Sequence, residues 1–539
     1  MVKKVSFSDR VISSSKEIIS LNAARDSDKE YNEIELQSIN RSPFPNQLVD
    51  STSPNSLVSI QLSPDSNAKQ ITIRQRGEYN VYENTVEDLT MLSEDKLIEH
   101  TNLKFNNFNL FWYCLVLSFT SFPLGWDVGT ITNLINHASF TIKYLSSFKL
   151  GLVISSFILG SLVGCFFIPF QTNKHPLKSL LQFSTIIFLL GTCSELLFLK
   201  WAINYWCFIF GRFLSGIGCG SLCVIGPLYM NEILLSGFKL RGFYLSFWQS
   251  FVCLIILIGN IQNYYLNSVS VDMIYVHQVI KIFFVLFANS LIPILPHSPE
   301  FFKVKGDVAE LRKIYLKILK SNGQNEIDNF VSLQNQHQLQ SNDKHGYETN
   351  LSYVELFQTQ SNKIIKCCFI MAFQQLTGIN YFFYYGPIIF RNFKSAFIIM
   401  SLVNLIGSLL GGPIIHLWNI KYNLILSGCL MAILMTVYSL IGQFTSHLVP
   451  LIVLSITFIF FFAISWGPSC GILVNVIANN NPKIVSLSIG LNWLFNWIII
   501  TISPWMIQRF QFNYNWIFVA SLISMTLFIQ IFIPKNILG

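Results

Sequence analysis

Long apolar runs alternate with short polar connections along residues 108–533. A helical run of about 20 apolar residues crosses the ~30 Å hydrocarbon core of a bilayer. The pattern therefore predicts an all-α membrane protein with twelve transmembrane helices, arranged as six plus six. The predicted spans are 108–134, 148–170, 177–199, 203–225, 242–264, 278–296, 363–388, 395–417, 422–443, 448–476, 485–507 and 513–533.

The stretches outside these runs divide the chain further. Residues 1–107 are rich in Ser, Asn, Asp and Glu, which predicts a disordered cytosolic tail. The predicted domains are this tail, a first bundle at 108–296, a cytoplasmic linker at 297–362, a second bundle at 363–533 and a short cytosolic C-terminus at 534–539. Within the linker, VAELRKIYLKILK (308–320) predicts an amphipathic helix, either on the cytoplasmic membrane face or as a soluble connector.

Charge sets the orientation and excludes some functions. Only 12% of the residues are charged, against about 25% in soluble domains. The tail holds 16 acidic and 12 basic residues, whereas the rest of the chain holds 12 acidic and 24 basic residues. The basic excess falls on connections that share a side with both termini, so both termini are predicted to be cytoplasmic. The sequence contains no basic run with interleaved aromatic residues, so nucleic acid is not an expected partner. The positive charge of residues 108–539 suits contact with the lipid bilayer.

The motifs of catalysis and cofactor binding are missing from the sequence. It shows no nucleophile beside a base, no metal-ligand spacing and no phosphate-binding loop, so an enzyme, a metal and a cofactor are not expected. The eleven cysteines lie in or beside apolar runs, where they are expected to act as small buried hydrophobic residues.

Polar side chains within the apolar runs point to a binding cavity. A single amide there is explained by a hydrogen bond between helices, but amides recur in several runs with aromatic residues nearby. Amides offer donors and acceptors without net charge, which suits a neutral ligand such as a sugar. In FQQLTGINYFFYYG (373–386), Gly378 permits a local break that brings the amides on either side of it to one cavity. The polar residues are Asp127, Arg212, Gln249, Gln374, Gln375, Asn380, Asn404 and Asn492.

Several of these segments together resemble the sugar porter family of the major facilitator superfamily, and are similar to fungal hexose transporters. The resemblance covers residues 108–533. It is carried by GWDVGTITNLIN, GRFLSGIGCG with PLYMNE and RG, QQLTGINYFFYYG, WGP at 466–468 and NW at 492–493. It implies a fold of two six-helix bundles around a central site, with alternating access by rocking of the two halves.

The resemblance also implies residue roles. Sugar contacts are implied for Gln249, Gln374, Gln375, Asn380, Tyr384, Asn404, Asn492 and Trp493. Glu232 and Arg241 match a cytoplasmic charge cluster that closes the inner side. Asp127 and Arg212 match a pair that matters for proton coupling in symporting relatives, although facilitators keep the aspartate too. Protons therefore stay an open alternative partner beside the sugar.

Departures from the family pattern leave alternatives open. The loops after the second and eighth spans lack the family's D-R-x-G-R pattern, while Gly471 and Val476 replace an aromatic and an acid in the tenth span. Facilitated transport of a hexose or polyol is the leading hypothesis. A sugar sensor with little transport, a proton-coupled transporter and a transporter of a non-sugar solute are the alternatives. The plasma membrane is the expected location, with the vacuole or another internal membrane as the alternative.

Overall fold

The structure is a computed structural model that describes residues 56–62, 69–75, 82–84 and 104–534. The last range has gaps at 137–146, 202–204, 236–237, 267–272, 321–326, 329, 333–350, 387–389, 391–392, 394 and 445–446. The prediction of disorder for residues 1–107 mostly concerns residues outside these ranges and stays a prediction. Within that region β1 (Ser56–Leu62), β2 (Lys69–Gln75) and β3 (Tyr82–Asn84) form a three-stranded antiparallel sheet.

The first six predicted spans are helical in the structure. The first span is bent, and the second and sixth spans end in a 3-10 turn. The elements are β4 (Lys104–Phe105), α1 (Asn107–Phe119), α2 (Phe122–Asn136), α3 (Ser147–Phe167), α4 (Leu177–Trp201), α5 (Tyr205–Ile233), α6 (Arg241–Leu245), α7 (Phe247–Leu266) and α8 (Met273–Leu291). The 3-10 turns are Ile168–Phe170 and Ile292–Ile294.

The linker and the second bundle follow. The linker helices are α9 (Pro299–Lys305) and α10 (Val308–Ile318), with β5 (Leu319–Lys320) after them. The bundle consists of α11 (Tyr353–Leu376), α12 (Ser395–Leu417), α13 (Ile420–Phe444), α14 (Leu448–Phe461), α15 (Gly467–Ile477), α16 (Pro482–Phe510) and α17 (Asn515–Phe532). Two π-helical turns, Tyr381–Tyr385 and Phe462–Trp466, and the 3-10 turn Gln511–Tyr514 complete it.

The described part contains nine helices long and apolar enough to cross a membrane, and ten if α1 and α2, which meet at 42°, count as one span. A shorter apolar stretch, Ser155–Phe170, covers the end of α3 and its final 3-10 turn. α11 starts within the polar linker, and its backbone leaves helical geometry at Gln360 before the membrane part begins. Each predicted span thus corresponds to a helix or a helix pair, and the all-α membrane fold is confirmed.

Glycines determine how closely the helices of the first bundle approach. A Cβ atom at Gly160 in α3 would lie 2.0 Å from a backbone oxygen of α5, and one at Gly216 in α5 would lie 2.2 Å from a backbone oxygen of α3. Gly164 and Gly220 extend the same contact. Because any larger residue would push the backbones apart, the small-residue spacing in α5 sets the α3–α5 packing.

The amphipathic helix α10 packs against the protein. Asp307 caps it by accepting a hydrogen bond from the Glu310 amide at 3.1 Å, and its apolar residues, such as Ile314 and Tyr315, are buried. The ring centroid of Tyr315 lies 5.0 Å from that of Phe330. β5 pairs antiparallel with β4, so the end of the linker helix is tied to the chain just before α1.

Candidate functional site

A cavity of about 210 Å³ lies between the two bundles. Its lining comes from α2, α5 and α7 of the first bundle and from α11, α12, α15 and α16 of the second. The described lining residues include no Asp, Glu, Lys, Arg or His, and their polar side chains are mainly amides. The predicted sugar contacts found in this lining are Gln249, Gln374, Gln375, Asn380, Asn404, Asn492 and Trp493.

Tyr384 is the one predicted sugar contact that is not among the described lining residues. Tyr384 belongs to the π-helical turn Tyr381–Tyr385 beside the cavity, but its side chain lies outside the described residues. Its role in binding stays a prediction.

The amides of the second bundle form a continuous hydrogen-bonded chain. Gln375 Nε2 donates to Asn492 Oδ1 at 2.8 Å, and Asn492 Nδ2 donates to Gln374 Oε1 at 2.8 Å. Gln374 Nε2 in turn donates to the backbone oxygen of Trp466 at 3.0 Å. The chain links α11, α16 and the π-helical turn before α15. Fixed partners hold these amides in one orientation, so their remaining donors and acceptors are positioned before any ligand arrives.

The predicted break at Gly378 is present and brings Asn380 into this chain. α11 ends at Leu376, and Gly378 has a φ of +86°. A Cβ atom on Gly378 would lie 2.7 Å from the Phe518 ring, so both the backbone angle and the space require glycine. After the break, Asn380 Nδ2 donates to Gln375 Oε1. An unbroken helix would have placed Asn380 about 240° away from Gln374 around the helix axis.

Aromatic and small residues complete the cavity wall. Trp248 and Phe383 line it together with Trp493. The Trp248 ring occupies the place beside Gly226 in α5, where a Cβ atom would come within 2.0 Å of it. Flat apolar faces beside amides match the two sides of a sugar ring, which has apolar C–H faces and a polar rim.

Two amides that the sequence interpretation missed also belong to the cavity. Asn496 Oδ1 accepts from Asn380 Nδ2 at 2.8 Å, and Asn475 lies on α15. Asn496 follows Asn492 by four residues, so helical spacing alone indicated that both face the same side. No comparable signal identified Asn475, because the acidic position of the family pattern corresponds to the neighbouring Val476.

A buried ion pair joins α2 and α5. The Asp127 carboxylate accepts hydrogen bonds from Arg212, whose Nη2 lies 3.4 Å from Asp127 Oδ2. Arg212 also donates from Nε to the Val153 backbone oxygen at 3.3 Å, and its guanidinium carbon lies 4.9 Å from the Phe157 ring centroid. The structure therefore brings together the two residues predicted to pair. It does not test their role in coupling.

A second buried ion pair lies nearby and was not anticipated. Glu195 in α4 and Lys281 in α8 are both buried, with Lys281 Nζ 3.3 Å from Glu195 Oε2. Glu195 also accepts from Ser215 Oγ at 2.7 Å and from Gln278 Nε2 at 2.8 Å. These hydrogen bonds offset the cost of removing the carboxylate from water. The available signal was the lone carboxylate in the third apolar run.

The predicted cytoplasmic gating residues lie where α5 ends. Glu232 accepts a hydrogen bond from Ser298, and Arg241 Nη2 donates to Asn231 Oδ1 at 2.9 Å. Asn231 also donates to Asn480, in the connection between α15 and α16. An amide contact thus joins the two bundles at this end. The gating role of Glu232 and Arg241 stays a prediction.

The fold is that of a major facilitator superfamily transporter. The proton:xylose symporter XylE bound to 6-bromo-6-deoxy-D-glucose superimposes with a TM-score of 0.70 at 20% identity, covering 80% of this chain and 97% of that chain. A partially occluded inward open conformation of XylE from E. coli gives a TM-score of 0.64 at 20% identity, covering 79% of this chain and 98% of that chain.

The family description "Sugar (and other) transporter" matches residues 113–537, and the chain belongs to this family. Hexose transporter HXT14 of Saccharomyces cerevisiae is 28% identical over 472 residues, covering 78% of this chain and 86% of that protein. Hexose transporter 2 of Kluyveromyces lactis is 26% identical over 472 residues, covering 78% of this chain and 80% of that protein.

Proposed function

We propose that this chain moves a hexose or a related sugar or polyol across a membrane by alternating access, as facilitated diffusion. The observation that carries the proposal is the hydrogen-bonded chain of amides in a cavity whose described lining bears no charge. The relatives named as hexose transporters support it.

The cavity suits a sugar for a physical reason. A sugar gives up several hydrogen bonds to water when it enters a cavity, and each must be replaced to avoid a desolvation cost. Gln375 uses one of its two amide hydrogens within the network, so the other is available to a hydroxyl. Gln249 of the first bundle and Asn404 of the second bundle contribute further amides to the cavity lining. An ion would find no opposite charge in the described lining.

The test is uptake of labelled hexoses by the purified protein in liposomes. We expect saturable uptake that stops when the gradient is dissipated. Saturable sugar binding without flux would favour the sensor alternative, and neither binding nor flux for a broad sugar panel would contradict the proposal.

Proton-coupled transport is a second candidate, motivated by the buried Asp127–Arg212 pair. Protonation of the aspartate would release the arginine, so the pair is suited to coupling one proton to a conformational change. An imposed pH gradient distinguishes the two mechanisms. It drives sugar accumulation above equilibrium in a symporter and leaves the equilibrium level unchanged in a facilitator.

The proposal extends to topology and location. We place both termini in the cytosol and the protein in the plasma membrane, acting without chemical conversion of its substrate. Protease accessibility of terminal tags in intact cells tests the orientation, and fluorescence microscopy of a tagged protein tests the membrane.

A further inference from the structure

One face of α15 carries two glycines where it borders the cavity. Gly467, Gly471 and Asn475 are spaced four residues apart, so they lie along one side of the helix, and all three line the cavity. A Cβ atom built on Gly471 would have no described heavy atom within 4 Å. Gly216 differs, because helix packing there excludes a larger residue. Glycine destabilises a helix interior relative to alanine. Because no described neighbour excludes a side chain at Gly471, helix packing does not explain the glycine there.

The far end of this face carries a buried polar atom that has no hydrogen-bond partner among the described residues. Asn475 is only 4% exposed. Its Nδ2 donates to the Gly471 backbone oxygen at 2.9 Å, while its Oδ1 has no hydrogen-bond partner within the described part of the chain. Buried acceptors left unsatisfied are rare in proteins and call for a specific explanation. A ligand hydroxyl in the open space beside Gly471 supplies one.

The open face continues the amide-lined site. A Cβ atom on Gly467 would lie 3.6 Å from Gln249 Nε2, so the face starts beside a predicted sugar contact. From Gly467 to Asn475 an α-helix rises about 12 Å. Val485 and Ile489 of α16 also line the cavity and offer apolar surface. We call the space along Gly467, Gly471 and Asn475 the α15 slot.

We propose that the α15 slot is a second subsite that binds a hydroxyl-bearing substituent of a hexose, with Asn475 Oδ1 accepting its hydroxyl. The inference rests on the proposed sugar transport and makes the substrate class broader: disaccharides or hydroxylated glycosides in addition to free hexoses. The acceptor selects a hydrogen-bond donor, and an apolar substituent of equal size would leave Asn475 Oδ1 unsatisfied.

The experiment measures uptake of glucose, maltose, cellobiose and n-butyl glucoside by the full-length protein in liposomes. We expect at least one of the two disaccharides to be taken up more efficiently than butyl glucoside. Gly471→Phe fills the slot and should reduce the ratio of disaccharide to glucose uptake at least tenfold. Gly471→Ala adds only a methyl group to the slot and should therefore lower the ratio much less than Gly471→Phe does.

A second variant tests the acceptor itself. Asn475→Leu should raise the KM for the accepted disaccharide relative to that for glucose by about fivefold, as expected for one lost hydrogen bond. Thermal melting in detergent establishes that each variant is folded. Glucose uptake with no uptake of either disaccharide overturns the subsite and leaves the proposed function standing. An unchanged ratio in Gly471→Phe also overturns it, whereas absence of uptake for every sugar overturns the proposed function.

Discussion

Replacing Gln375 by leucine tests the amide site most directly. Leucine has a similar size but no hydrogen-bonding group, so the donor to Asn492 and the acceptor for Asn380 both disappear. Asn492 keeps its bond to Gln374 at 2.8 Å, and Asn380 keeps its bond to Asn496 at 2.8 Å. Two net hydrogen bonds at about 0.5–1.5 kcal/mol each give a loss of about 1–3 kcal/mol in the free energy of unfolding. The protein should therefore remain folded.

Sugar binding by the Gln375→Leu protein should also become weaker. A hydroxyl that bonds Gln375 loses its partner, and the neighbouring amides lose part of their fixed orientation. A loss of about 1–3 kcal/mol weakens binding by about 5- to 150-fold. Titration of the fluorescence of Trp248 and Trp493, which line the cavity, measures the Kd.

The matched control is Gln443→Leu. Gln443 Nε2 donates to Asn513 Oδ1 at 2.8 Å, and Gln443 is not among the cavity-lining residues. We expect this variant to keep the wild-type Kd. A folded Gln375→Leu protein that binds sugar as tightly as the control would refute the placement of the site.

Three further predictions concern the scaffold. Asp127→Asn leaves the Arg212 charge buried without its carboxylate, so it should lower the free energy of unfolding by about 3–5 kcal/mol. Replacing both residues by apolar ones should cost less, and thermal melting of the two variants tests this. Gly216→Leu places a side chain where even a Cβ atom would lie 2.2 Å from a backbone oxygen of α3, so it should destabilise the first bundle by more than about 1–3 kcal/mol, and wild-type melting would contradict this. Hydrogen bonds from the backbone and side chain of Ser352 hold the pKa of Glu355 below its usual 4.5. This capping is complete above the ordinary pKa and is lost as pH falls through the lowered value, so the protection factors of the first amides of α11, measured by hydrogen exchange, should fall as the pH drops below 4.5.

The sequence alone determined the membrane architecture of this protein. Each span is a continuous apolar run, and its length must match a bilayer of known thickness, so local composition suffices. The break in α11 was also readable, because Gly378 lies between amides that an unbroken helix would separate. Gln375 and Asn380 stood out for a similar reason, since an amide in an apolar run needs a partner.

Only the tertiary structure decided which partners these side chains have. Glu195 meets Lys281, and Asn380 meets Asn496, across separations of 86 and 116 residues. Such contacts depend on how helices rotate and approach one another, which in the first bundle depends on backbone contacts at glycines such as Gly216. The glycine at position 216 allows two helices to pack closely, whereas the glycine at position 471 leaves an open space. The sequence cannot distinguish the two cases, because the difference lies in what stands opposite each residue.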